Sequence, residues 1–159
     1  DSGGGGDAAA PQGVTVASAF PPTVVSPARL DSLAAEWEPP IYWLGRRPGA
    51  RLELKRELSG EIYLRYLTGN ARPGDPRQDY VTVGTYPVGG GAAAVRGAAR
   101  EEGAAVQSGP SGSVLLANPR RPENVYLAFP GSEYQIEIFA PAAGRALELA
   151  KSGKLAPVG

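Results

Sequence analysis

The chain has 159 residues with 22 Gly and 16 Pro, together 38 of 159 and roughly twice the usual share, and it holds no Cys, no Met and no His. Those absences exclude disulfides, thiol nucleophiles, imidazole bases and Cys or His metal sites. Sixteen basic residues balance sixteen acidic ones, which argues against a nucleic-acid surface, and no apolar run approaches the roughly 18 residues of a membrane span.

Residues 1–25 read as a flexible Gly/Ala/Pro tether, opening Asp1-Ser2-Gly3-Gly4-Gly5-Gly6. Residues 26–159 read as a single α+β domain. Ser26 is a good N-cap and Pro27 suits a first helical position. Leu30, Leu33, Ala34 and Trp37 follow on one stripe until Pro39-Pro40 stops the helix. Ile41–Leu44 is a short apolar run before Gly45, either a strand or a docked segment.

Alternation then predicts a hairpin. Leu52 and Leu54 face Ile62, Leu64 and Tyr66 across a Ser59-Gly60 turn. A polar loop over Thr68–Asp79 leads to a third strand, Tyr80–Tyr86. Gly89-Gly90-Gly91 opens a helix over Ala92–Glu102. Residues 104–112 read as a Gly/Ser loop. Strands follow at Ser113–Ala117, Asn124–Phe129 and Tyr134–Phe139. A helix over Pro141–Ser152, with Ala146, Leu147 and Ala150 inward, is capped by Gly153, and Lys154–Gly159 is a tail.

The expected fold is therefore α+β, a mainly antiparallel sheet with helices packed on its apolar face. That face should hold Leu52, Leu54, Ile62, Leu64, Val81, Val83, Val125, Leu127, Ile136 and Ile138. The order strand-strand-strand-helix occurs twice, a candidate pseudo-repeat, although any two meander-plus-helix units look alike.

Phase puts Tyr63, Tyr86, Tyr126 and Phe139 on the opposite face, with Arg65 beside them. Tyr and Arg favour interface hot spots, so Tyr63, Arg65, Tyr86, Tyr126 and Trp43 form the candidate binding set. The competing reading is that the first helix or Ile41–Leu44 covers this face as a second core. No catalytic or metal residues and no cofactor are expected. The three Lys, at 55, 151 and 154, suit no Ser–Lys dyad, and Ser111 lacks a Gly-x-Ser-x-Gly frame. The pairs Glu57/Glu61, Glu101/Glu102 and Glu133/Glu137 read as solvated charges. Asp75 and Asp79 do not make an EF-hand loop, and Gly89–Gly91 lacks the P-loop Lys.

Pro40-Ile41-Tyr42-Trp43-Leu44-Gly45, Tyr126-Leu127-Ala128-Phe129-Pro130-Gly131 and Tyr134–Ile138 resemble uncharacterised secreted or lipoprotein-like proteins of high-GC Gram-positive bacteria, over residues 39–155. The Gly-rich start resembles the linker after the lipidated Cys of bacterial lipoproteins, a Cys that would precede Asp1. The lack of Met fits an upstream segment removed by processing. The resemblance carries no activity. It implies an extracytoplasmic place, secreted or lipid-anchored on the outer face of the membrane, with membrane contact only through that anchor.

The expected function is a non-enzymatic accessory or binding subunit of a cell-envelope complex or surface assembly, with protein partners. The alternatives are a small-ligand carrier with an aromatic-lined pocket, or a hydrolase using Ser or carboxylates. Assembly through an exposed edge at Ser113–Ala117 is a further expectation.

Overall fold

The computed structural model describes residues 19–159; the first eighteen residues of the tether expected over 1–25 lie outside them. Eight strands make one antiparallel sheet: β1 (Phe20–Val25), β3 (Arg51–Arg56), β4 (Ile62–Leu67), β5 (Thr82–Pro87), β6 (Ala105–Ser108), β7 (Val114–Ala117), β8 (Asn124–Ala128) and β9 (Tyr134–Phe139). Their order is β1-β3-β4-β5-β9-β8-β7-β6. The meander β3-β4-β5 thus meets the meander β9-β8-β7 along the β5–β9 ladder. A two-stranded ribbon pairs β2 (Tyr42–Trp43) with β10 (Ala156–Pro157). The helices are α1 (Pro27–Glu36), α2 (Gly91–Ala98) and α3 (Arg145–Lys151). None of them is long and apolar enough to cross a membrane.

The expected α+β class holds, with an antiparallel sheet as its main element. The alternating residues of the strands align across it. Leu54, Leu64, Val83, Ile138 and Val125 are successive cross-strand partners, and so are Ile62, Thr85, Ile136, Leu127 and Leu115. These apolar side chains are almost fully buried and form one cluster with Leu30 and Leu33 of α1, Ile41 and Leu44, and Ala146, Leu149 and Ala150 of α3. Val81 is only partly buried beside it.

Several sequence expectations are corrected. Phe20–Val25, assigned to the tether, is an edge strand on β3, with an irregular register between Phe20 and Thr23. Pro21 and Pro22 fall there, where missing ladder donors are tolerated. The supposed loop at 104–112 contains β6, which pairs with β7; Ser113–Ala117 is therefore interior, and the sheet's edges are β1 and β6. The supposed tail contains β10, with Leu155 and Val158 buried. Helix α3 starts at Arg145 because Gly144 takes φ +80°, a left-handed turn. Leu149, rather than Leu147, is its large buried residue. Helix α2 does not join the main core. Its Val95 packs on Leu116 and Ala128, on the opposite face of the sheet.

Candidate functional site

Helix α2 covers the β7–β8 end of that opposite face. α1 and Ile41–Leu44 lie on the main-core face, so the β3-β4-β5-β9 part is not sealed into a second core. Two cross-strand rows cross it. One runs Lys55, Tyr63, Gly84, Glu137, Tyr126, Leu116. The other runs Glu53, Arg65, Thr82, Phe139, Asn124. Above these rows is a groove of about 590 Å³, walled on one side by residues 74–78 and Tyr80 of the β4–β5 loop.

The wall is held by Arg65. Its guanidinium binds Glu53 in a fork, Nε to Oε1 at 2.6 Å and Nη2 to Oε2 at 2.9 Å, while Nη1 donates to the Asp75 carbonyl at 2.8 Å. Glu53, only 3% exposed, also accepts from the Gly74 N–H at 2.7 Å. Burial alone would expel such a carboxylate; the fork and the amide hold it. Hydrogen bonding to Glu53 pushes the Arg65 guanidinium above its ordinary range, against the effect of burial.

Further along the wall, Arg77 binds the Asp75 carboxylate at 2.8 Å and donates to the Tyr80 hydroxyl at 2.7 Å. Hydrogen bonds from the Arg77 side chain and backbone pull the Asp75 carboxyl well below the usual carboxylate range. The two Asp that sequence reading weighed as cation ligands are thus drawn to Arg77, with Asp79 at 3.9 Å.

The floor centres on Glu137. The Tyr86 hydroxyl donates to its Oε1 at 3.1 Å and Asn124 Nδ2 to its Oε2 at 3.2 Å. Tyr86 reaches it because Gly84 has no side chain: a Cβ there would lie 3.0–3.2 Å from the Tyr86 ring and hydroxyl. Tyr63 meets Tyr86 edge-on at 5.8 Å, and Lys55 Nζ lies 5.8 Å from the Tyr63 ring centre. Burial, then the charge of Glu137, pushes the Tyr86 hydroxyl far above its ordinary range. Tyr126 is raised by burial and by its hydrogen bond to the same carboxylate. Burial raises Tyr63 as well. All three phenols therefore stay protonated donors across the physiological range.

The structure brings four of the five predicted residues onto this face. Tyr63 and Arg65 line the groove; Tyr86 and Tyr126 flank Glu137. Trp43 lies apart, on the β2–β10 ribbon, packed against the main core. Sequence reading treated Glu137 as a solvated charge. Its register opposite Tyr126 and Gly84 was the signal, and that register depends on strand pairing across distant segments. In the Gly89–Gly91 turn, Gly89 N–H donates to the Glu133 carbonyl at 3.1 Å and Gly91 N–H to the Ser132 carbonyl at 2.9 Å, so two of its three amides are already taken and not free for phosphate. The chain matches no protein-family model, no curated protein and no solved structure.

Proposed function

We propose that this chain is a non-catalytic binding module that meets its partner through the groove over Glu137, and that it serves as an exported accessory subunit of a cell-envelope complex or surface assembly. The observation that carries the reading is the groove itself: an open, Tyr-floored concavity whose charged side chains are largely tied to one another. A hydrolase needs a nucleophile or an acid–base carboxylate pair free to act on substrate. Here Arg65 and Arg77 hold Glu53 and Asp75, and no Ser is among the lining residues. Interfaces, by contrast, favour Tyr and Arg presented on a rigid frame.

A photo-crosslinking side chain at Tyr63 in native cells tests this, with one at the exposed turn residue Leu58 as control. A discrete adduct from position 63 and none from position 58 is expected. The same products from both positions, or none from 63, would refute the groove as the contact site.

The exported placement is supported by the Gly-rich composition of the N-terminal segment and by the sequence resemblance at residues 39–155. Mass spectrometry of the native N-terminus tests it: a diacylglyceryl Cys before Asp1 is expected, and an unmodified cytosolic protein would refute it. We further infer that the two meanders joined at β5–β9 are a structural pseudo-repeat. The matching connectivity supports this, as each half supplies three adjacent strands followed by a helix.

A small-ligand carrier is the second reading. A volume of about 590 Å³ lies within the range of small-molecule sites. Native mass spectrometry showing one stoichiometric small molecule that Tyr63→Ala abolishes would favour it over a protein partner.

A further inference from the structure

We propose that the groove receives a lysine or arginine side chain from an extended segment of a protein partner, and that Glu137 is the group that takes its charge. This rests on the groove being the contact site. Seven charged side chains line it. Six form three ion pairs: Lys55–Glu57 at 2.6 Å, Arg65–Glu53 at 2.6 Å and Arg77–Asp75 at 2.8 Å. Glu137 is the seventh. Among the described residues it has no cationic partner within ion-pair distance; its hydrogen bonds come from neutral donors, Tyr86, Asn124 and Tyr126.

A carboxylate offers about four acceptor positions, so Glu137 has capacity beyond those bonds. It is already half-buried, and a partner that covered it without a cation would strand a charge away from water at considerable cost. An acidic partner would meet repulsion. A cation would find the carboxylate together with the rings of Tyr63 and Phe139, which line the same groove and offer aromatic faces to an ammonium or guanidinium. The three internal ion pairs need no charge from a ligand, so one cationic residue completes the balance.

The dimensions argue for a chain segment rather than a free amine. Lining residues come from six neighbouring strands, from Pro22 on β1 to Asn124 on β8. Five interstrand spacings of about 4.8 Å make about 24 Å, the span of about seven extended residues.

The test is a randomised heptapeptide library displayed on phage and panned on the whole chain at low salt, on the wild type, Glu137→Gln and Tyr63→Ala. Gln keeps the shape and one acceptor oxygen, which can face Asn124, while the Tyr86 hydroxyl can turn to accept from the new amide N–H. The expected result is enrichment of Lys or Arg at one fixed position on the wild type. Replacing that residue by Gln in the synthetic peptide should weaken binding about ten-fold on the wild type and less than two-fold on Glu137→Gln. The peptide-side change does not depend on how any protein variant folds. Peptides lost with Tyr63→Ala but showing no preference for a cation would overturn the inference and leave the groove as a contact site. No enrichment, or enrichment indifferent to Tyr63→Ala, would overturn both.

Discussion

Arg65 joins the sheet to the wall of the groove, and its environment sets the cost of losing it. Glu53 beneath it is buried and would keep only the Gly74 amide. Arg65→Met should therefore destabilise the chain by about 3 kcal/mol, most of it the penalty of an unpaired buried carboxylate rather than the worth of the pair. The double variant Glu53→Met/Arg65→Met removes that penalty and should be more stable than Arg65→Met alone. Urea denaturation of the three proteins checks the order; a double variant less stable than the single would contradict it. Tyr66 is a different case. Its hydroxyl accepts from the Leu44 N–H and donates to the Gly45 carbonyl, both at 2.8 Å, and burial pushes it up to about 12. Folding favours the neutral phenol, so its contribution is complete below the unfolded value of about 10 and is lost as pH rises from there towards 12. Tyr66→Phe should cost about 1–3 kcal/mol at pH 7, through the stranded Leu44 N–H. It should also shrink the alkaline loss of stability between pH 10 and 12 by about 2 kcal/mol. Stability measured in urea across that range decides it; equal alkaline slopes in the two proteins would count against the account.

At the scale of elements, what was legible in the sequence depended on whether the signal was local. Period-two alternation located β3, β4, β5, β8 and β9, and Ser26 with Pro27 located the start of α1, where Ser26 Oγ accepts from Arg29 N–H at 3.1 Å. β6 was not legible: Ala105-Val106-Gln107-Ser108 sits between Gly-rich turns, and it is a strand because β7 offers an open edge. β10 has two residues and exists because β2 pairs with it. The phase of the alternation showed which face Tyr63 and Arg65 share. They did not show that Glu137 would lie between Tyr126 and Gly84, nor that the other groove charges would pair off, because both depend on the β5–β9 and β8–β9 registers. Nor did periodicity reveal that α2 crosses to the other face. Its placement rests on Gly91, where a Cβ would lie 2.1 Å from the Tyr134 carbonyl oxygen and 2.9 Å from the Ala128 Cβ. Since the obstruction is backbone, α2 must shift to admit a methyl. Gly91→Ala should cost about 2 kcal/mol, whereas Gly97→Ala, in the same helix with open space around it, should be neutral or stabilising by up to about 1 kcal/mol. Thermal midpoints of the two variants make the comparison, and a Gly91→Ala protein as stable as the wild type would show that α2 is not seated this tightly.

For the whole molecule, the question is whether two meanders behave as one folding unit. The ladder between β5 and β9 is continuous over six residue pairs, from Thr82↔Phe139 to Pro87↔Tyr134. The main core crosses that seam: Leu54, Leu64 and Val83 from the first meander share one cluster with Ile138, Val125 and Leu115 from the second, and α1 and α3 pack into it together. Cutting the molecule at the seam would expose large apolar faces on both halves, each such side chain being worth roughly 1.5–3 kcal/mol when buried. Unfolding should therefore be a single cooperative transition. The positions of the tryptophans make this decidable. Trp37 packs on Phe20 and Arg56 of the first half, whereas Trp43 pairs with Ala156 of β10; in a Trp43→Phe background, fluorescence therefore reports the N-terminal half, whereas far-UV circular dichroism reports strands and helices throughout. A two-unit molecule would give separate fluorescence and dichroism curves in urea, with the β6–β9 half melting unseen by tryptophan. Coincident curves with one midpoint are the expected result. They would mean that the groove, built from strands on both sides of the seam, persists or disappears with the fold as a whole and is not assembled by docking one half on the other.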